Sequence, residues 1–306
     1  MTGSSTFPVT GFVTTCTKLN VRSAAPSVSA AIAARIEIGS QLLVCGIVSG
    51  DSVEGNAQWY AGSNDTFFWA GGCGPLIVGT AAESAAGNGL AGHVESAPPG
   101  ALGFDIDRPL SARDAAAFQA RGFRFCVRYL SRSQDHESPG DLSRAEADAI
   151  LNAGLALMAV QHVAKAYWIP TADLGRTNGT NAVRNAQEVG LPAGVNIWLD
   201  LEGVRGDTPR QDVIDYCNAW FAAVSAAGYA TGLYVGDSIV LSPDDLYWNL
   251  RTQHYWKSGS NVPDIPIRGY QMLQRIPPGA DDDTNVDTDV TQNDAFGGSV
   301  QWLSRA

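Results

Sequence analysis

From residue 101 onward the chain alternates short apolar runs with longer amphipathic stretches. Eight runs have strand character: Leu102–Ile106, Phe123–Tyr129, Leu155–Gln161, Asn196–Leu201, Thr231–Val235, Tyr255–Trp256, Ile267–Met272 and Asn285–Val290. Helix starts lie between several of them. Ser111 with Asp114 three residues on, and Ser143 with Glu146, have the spacing of an N-cap and its first-turn acid; Gly154 closes the second of these helices. A longer helix is expected from Pro209 to Ala227, with Thr208 as N-cap, Pro209 in the first position and Gly228 as its stop. Repeated β-then-α units joined by right-handed crossovers give a parallel sheet, and eight of them close on themselves. The predicted class is therefore α/β, a (β/α)8 barrel of the TIM type. About 210 residues is short for that architecture, so some helices should be reduced or missing.

The first hundred residues read differently. Gln41–Val48, Gln58–Ala61 and Thr66–Ala70 are β-type runs separated by Gly, Asp, Asn and Ser turns, which predicts a small all-β module. Between Gly79 and Gly100 the chain is rich in Ala, Gly, Ser and Pro and lacks aromatic residues, the composition of a linker. The expected organisation is thus 1–78 as the β module, 79–100 as linker and 101–306 as the barrel.

Composition narrows the partners. With 306 residues, 45% of them hydrophobic, the chain can bury one large core or two unequal ones. The net charge is −11 and no Lys/Arg cluster appears, so no electrostatic footprint for nucleic acid is present. No apolar run approaches the roughly 20 residues that a membrane helix needs. Met1–Pro8 has neither the basic start nor the apolar core of a classical secretory signal. Five cysteines, Cys16, Cys45, Cys73, Cys126 and Cys217, form no CxxC motif; one local disulfide among the first three and simple burial are both open readings.

The candidate chemistry is carboxylate chemistry. Asn196-Ile-Trp-Leu-Asp200-Leu-Glu202 ends an apolar strand in two acids spaced i, i+2, which points both to one face. Nearby carboxylates raise each other's proton affinity, so one can serve as a general acid while the other stays ionised. The alternative is a pair neutralised by Arg or by backbone donors. Asp105 and Asp107 repeat the spacing at the end of the first strand, and Asp287 and Asp289 in the last; barrel closure makes those two strands neighbours. Tyr129, Tyr234, Trp256 and Tyr270 lie at other predicted strand ends, where aromatic rings stack on sugars or simply pack. Gln271 and Gln274 are candidate hydroxyl ligands, and Arg128 a partner for a rim carboxylate or for a structural ion pair.

Residues 101–298 resemble the glycoside-hydrolase-like TIM-barrel family, itself similar to the family 25 lysozymes. The resemblance rests on Gly103-Phe-Asp105, Phe125-Cys-Val-Arg128-Tyr129-Leu, Leu142-Ser-Arg-Ala-Glu146, Gly190-Leu-Pro-Ala-Gly194, Trp198-Leu-Asp200-Leu-Glu202, Gly232-Leu-Tyr-Val235, Gly269-Tyr-Gln271 and Val286-Asp287-Thr-Asp289. It implies cleavage of the β-1,4 glycan strand of peptidoglycan. Glu202 would protonate the leaving oxygen, Asp200 would orient the reacting N-acetyl group or stabilise an oxocarbenium ion, and Asp105 and Asp287 would occupy the flanking rim positions. Asp107, Arg128, Tyr129, Tyr234, Trp256, Tyr270, Gln271 and Asp289 would bind substrate. Asp289 stands where the lysozymes commonly have Asn. The first module resembles a bacterial Src-homology-3-like domain through Leu19-Asn-Val-Arg22-Ser, Gly50-Asp51, Gln58-Trp-Tyr60 and Phe67-Phe-Trp69-Ala-Gly71, which implies targeting to the cell wall. No cofactor or metal is implied. The expected place of action is the bacterial wall, reached by phage-type release or specialised secretion. The rivals are a non-catalytic glycan-binding protein and a chitinase-like hydrolase.

Other signals are weaker. Asp283-Thr-Asn285-Val-Asp287-Thr-Asp289 mimics the start of a calcium loop, but Thr288 replaces the required Gly and no closing Glu exists. His93, His136, His162 and His254 lack metal-ligand spacing.

Overall fold

A computed structural model describes residues 11–62, 66–74, 76–78, 89–133, 140–275 and 286–305. The chain divides into a smaller unit, Met1–Thr80 with Phe296–Gly298, and a larger one, Ala81–Ala295 with Ser299–Ala306. Asp283 and Asn285 of the calcium-loop pattern, and the first part of the predicted linker, lie outside the described residues.

Among its described residues the smaller unit consists of antiparallel sheets and one short 3-10 turn, Ala70–Gly72. Gly11–Thr14 pairs with Gln41–Val44 and Ile77–Val78, while Ile32–Ile36, Leu19–Ser23, Thr66–Trp69, Asn56–Ala61 and Gly46–Val53 form a five-stranded sheet in that order. Trp59, Tyr60 and Phe68 are buried, so these aromatics fill the interior of the module and offer no ring to a ligand. Trp69 is half-buried, its indole N–H donating to the Asn56 carbonyl. All five cysteines are free thiols.

The larger unit is a closed eight-stranded barrel. Its strands are β1 (Leu102–Ile106), β2 (Phe125–Leu130), β3 (Ala156–Gln161), β4 (Asn196–Leu201), β5 (Ala230–Val235), β6 (His254–Lys257), β7 (Met272–Arg275) and β8 (Asp287–Thr291). Strands β1 to β7 run parallel, each to the next, and β8 runs antiparallel to both β7 and β1, closing the ring. All eight predicted strands exist, but two corrections matter. The last strand is reversed, and the seventh begins at Met272 rather than Ile267. Periodicity reports which residues share a face, not which way a strand runs.

Among the described residues four α-helices coat the outside: α1 (Ala112–Ala120), α2 (Arg144–Asn152), α3 (Ala172–Val189) and α4 (Arg210–Ala226). Ser111 and Ser143 accept hydrogen bonds from the Asp114 and Glu146 amides, as the cap spacing predicts. Helix α4 instead takes Pro209 as its N-cap, with no side-chain cap bond, so Thr208 does not have the expected role. After β5 only a π-type turn, Asp245–Asn249, remains, and no helix follows β6 among the described residues. Within the stretch read as linker, His93–Ser96 is a strand paired with Gln301–Ser304, which in turn meets β3.

Alternation along each strand sorts the side chains into two layers. Phe104, Ile106, Ile197, Leu199, Leu201, Leu233 and Val235 face the helices, whereas Phe125, Val127, Met158, Val160, Trp198, Trp256 and Met272 fill the barrel. The largest of these side chains each contribute roughly 1.5–3 kcal/mol by leaving water.

Candidate active site

The same alternation decides which polar groups point inward. On β1, Phe104 stacks on Phe118 of α1 with ring centroids 4.0 Å apart, which commits its neighbour Asp105 to the interior. On β4, Trp198 lies inside, so Asp200 does too, and Glu202 continues the series just beyond the strand. Tyr129 and Tyr234 follow the interior positions of β2 and β5. These groups gather where the parallel strands end.

The reversed β8 reaches that mouth from the other direction. Asp287, at its start, lies opposite Asp105, and Asp289 lies two residues deeper, opposite Gly103. Gln274 of β7 links the two rim acids: its Nε2 donates to Asp105 Oδ2 at 2.8 Å and to Asp287 Oδ2 at 3.3 Å, while its Oε1 accepts from the Tyr234 hydroxyl at 2.9 Å. The Tyr129 hydroxyl donates to Asp105 Oδ1 at 3.3 Å. Opposite them stand Asp200 and Glu202. Among the described residues, none of Asp105, Asp200, Glu202 and Asp287 is in an ion pair.

Without cations, burial governs the protonation of these acids. It pushes Asp105 up to about 7 against the hydrogen bond from Gln274, with the Asp287 charge adding to the rise. Burial, then the charges of Glu202 and Asp105, hold Asp200 well above the ordinary carboxylate range. Its Oδ1 is buried with no hydrogen-bond partner. Glu202 is less enclosed and is raised by burial and then by Asp237; Asp287 is raised by burial alone.

Glu202 is held by its backbone. The Trp168 indole donates to its carbonyl at 2.8 Å, Gly203 N–H donates to the Asp237 carbonyl, and Tyr167 N–H to the Gly203 carbonyl. Gly203 sits at φ 62°, a conformation that favours glycine. Gly236, directly after β5, faces the acid: a Cβ there would stand 2.4 Å from Glu202 Cβ and 2.7 Å from Oε2. Tyr167, beside this clamp, is 80% exposed with φ 67°. Neither Gly236 nor Tyr167 was expected from the sequence, although counting inward positions on from Tyr234 reaches Gly236.

Several sequence candidates lie elsewhere. Arg128 is on the outer face of β2, fully buried, pairing with Glu146 of α2 at 2.6 Å and donating to the Ile106 and Gly140 carbonyls; it holds helix to barrel and does not meet the rim. Tyr270 and Gln271 precede β7 and so fall at the base of the barrel. The Tyr270 hydroxyl donates to the Pro263 carbonyl, and Gln271 is buried against Tyr255, Gln253 and Asp294. Trp256 is buried below the mouth, its indole donating to Asp289 Oδ1 at 2.8 Å. Asp289 has no exposed surface, so neither residue is placed to touch a ligand at the mouth. Asp107 is exposed in the turn after β1. The His162 ring lies 4.7 Å from that of Tyr129, tilted by 36°, and His162 contacts Asp141 at 3.0 Å. Among the described residues no group of three or more His, Cys, Asp or Glu is arranged to hold a metal ion, and no helix is long and apolar enough to cross a membrane.

Solved structures similar to this chain include the Tat-secreted protein Rv2525c of Mycobacterium tuberculosis (17% identity, TM-score 0.46, 65% of this chain and 98% of that one). A muramidase from Acremonium alcalophilum (15%, 0.46, 64% and 95%) and a family 25 glycosyl hydrolase from Bacillus anthracis (15%, 0.44, 67% and 94%) are also similar. No curated protein matches. Residues 116–291, more than half of the chain, match the family described as Rv2525c-like, glycoside hydrolase-like domain, and the chain belongs to that family.

Proposed function

We propose that the protein is a peptidoglycan-cleaving glycoside hydrolase of the muramidase type, with Glu202 as the general acid. The observation that carries this reading is a barrel mouth holding four carboxylates with raised proton affinity and no cation among them. Glycosidic bond cleavage needs a proton for the leaving oxygen and negative charge for the oxocarbenium-like centre. Glu202, the more accessible member of the β4 pair, is suited to deliver the proton. Asp200, with one oxygen lacking any donor, is suited to accept a hydrogen bond from a substrate N–H or to face developing positive charge. Asp105 and Asp287, tied together by Gln274, would bind hydroxyls on the opposite wall, and Tyr129 and Tyr234 would line the floor.

The small β module would act as a bacterial Src-homology-3-like wall-binding domain, with the protein working at the bacterial cell wall. Three of its aromatic side chains are consumed by its own core, so a ligand would meet other surfaces. The test is release of soluble muropeptides and new reducing ends from purified peptidoglycan by wild type and Glu202→Gln. The amide keeps the shape and removes the transferable proton, so cleavage should fall by about 10²–10⁴-fold while pull-down on peptidoglycan persists. Absence of cleavage by wild type with retained pull-down would make the protein a glycan binder.

A further inference from the structure

The side-chain donors around the barrel mouth are committed to one another. Gln274 Nε2 donates to Asp105 and to Asp287, the Tyr234 hydroxyl donates to Gln274 Oε1, and the Tyr129 hydroxyl donates to Asp105 Oδ1. The Trp256 indole is taken by Asp289, and His162, beside Tyr129, is engaged through Nε2 by Asp141. The Trp198 indole N–H has no partner, but Trp198 has no exposed surface and lies two residues below Asp200 on β4. What these side chains leave for a ligand is acceptors.

Asp200 is the clearest of them. Only 6% of it is exposed, its Oδ1 has no hydrogen-bond partner, and its place on the inward face of β4 aims it into the mouth. Asp105, Glu202 and Asp287 share that mouth, and among the described residues none of the four is in an ion pair. Nor, among the described residues, are such groups arranged to hold a metal ion. The positive charge that would complete this wall therefore has to arrive on the ligand.

Such a wall distinguishes the two nitrogen substituents a hexosamine can carry. An N-acetyl group offers one N–H and brings a carbonyl oxygen, which needs a donor that these side chains do not have free. An ammonium offers three N–H donors, no acceptor and a positive charge. Hydrogen bonds between charged partners are also the stronger kind. Burial raises the proton affinity of all four acids, and a cation among them is what favours their ionised forms together.

We propose that the mouth selects glycan strands carrying free amino groups, with the ammonium of a de-N-acetylated hexosamine seated on Asp200. This rests on the reading of the mouth as a hexosamine-glycan site given above and adds the chemistry of the sugar nitrogen to it.

The experiment is titration calorimetry of the full chain at about pH 6, where sugar amines are largely protonated, with β-1,4 tetramers of glucosamine and of N-acetylglucosamine. The glucosamine tetramer should bind about 10–100-fold more tightly, the equivalent of one hydrogen bond between charged groups. Because a net charge of −11 draws in any oligocation, tetralysine is the reference and should bind more weakly than the glucosamine tetramer. Asp200→Asn keeps the shape without the charge and should abolish the preference. Glu188→Gln, which removes one charge near the C-terminal end of α3, should keep it. No preference for the glucosamine tetramer, tetralysine binding as tightly as that tetramer, or an unchanged preference in Asp200→Asn overturns the proposal. Should that variant fail to fold, the wild-type comparison with tetralysine decides. Pull-down on peptidoglycan before and after chemical de-N-acetylation separates the sources of the amine: stronger retention after treatment assigns it to the wall glycan, and unchanged retention with tight tetramer binding assigns it to a chitosan-type strand. A wild type that cleaves fully acetylated peptidoglycan yet shows no preference keeps the muramidase reading and sinks this one. An inactive protein with the preference does the reverse.

Discussion

At the base of the barrel Arg268 donates to Asp294 at 2.5 Å, Gln271 bonds to Asp294, to the Gln253 carbonyl and to the Tyr255 amide, and Asn196 bridges His254 and the Gln301 amide. At the mouth, some strand length away, Asp105, Asp200, Glu202 and Asp287 have no cationic partner among the described residues and Asp200 keeps an oxygen with no partner. Both ends are polar and enclosed by the same β-sheet. The base satisfies its polar groups and is structural, whereas the mouth stores unsatisfied acids whose chemistry has to be completed by something else.

Breaking the base should have the largest effect. Asp294→Ala leaves Arg268 buried without its carboxylate and should cost about 3–5 kcal/mol in urea denaturation, with any residual fold still carrying the mouth. Gly236→Ala attacks the mouth by shape alone. Its new Cβ would displace Glu202, and cleavage should drop about 10²-fold, since a misplacement near 1 Å has that cost. Circular dichroism would show whether the fold survives.

The pH dependence of stability separates the ends further. Asp105 is raised from 3.8 to about 7 in the folded state, so the native protein binds the extra proton and loses stability as pH rises through that window. Asp105→Asn should therefore gain relative to wild type at pH 8 and much less at pH 4.5, by on the order of 1–3 kcal/mol. His254 at the base, lowered to about 4 by burial, works in the opposite sense, losing stability as pH falls below its ordinary 6.5; the wild-type-minus-variant difference removes that contribution. Tyr167→Ala should give the smallest effect: a few-fold weaker binding of N-acetylglucosamine oligomers in calorimetry, with stability within about 0.5 kcal/mol because the ring is exposed.

The barrel and its acids were legible in sequence because they rest on alternation. A strand that packs Phe104 and Ile106 against a helix has to turn Asp105 inward, and the i, i+2 spacing carries Asp200 and Glu202 to one wall. The same rule, applied one residue over, removes Arg128 from the site: it has the opposite parity to Tyr129. What alternation cannot carry is direction and register. Tyr270 and Gln271 were expected at the mouth because β7 was placed five residues early, and the true start at Met272 sends them to the base and brings Gln274 to the acids. Thr208 shows a more local limit, since Pro209, pre-set in φ, takes the cap position itself.

The reversed eighth strand also bears on how such a barrel assembles. Closing the ring requires β1 to find β8, with Leu102 opposite Val290, across most of the larger unit's sequence. A lone parallel strand would have to be captured at that separation with no local help. Because β7 and β8 are consecutive and antiparallel, they can pair first as a short-range ribbon, Met272 against Thr291 and Arg275 against Thr288. The slow, long-loop step is then the docking of a preformed pair rather than of a single strand, which lowers the entropy that closure must overcome.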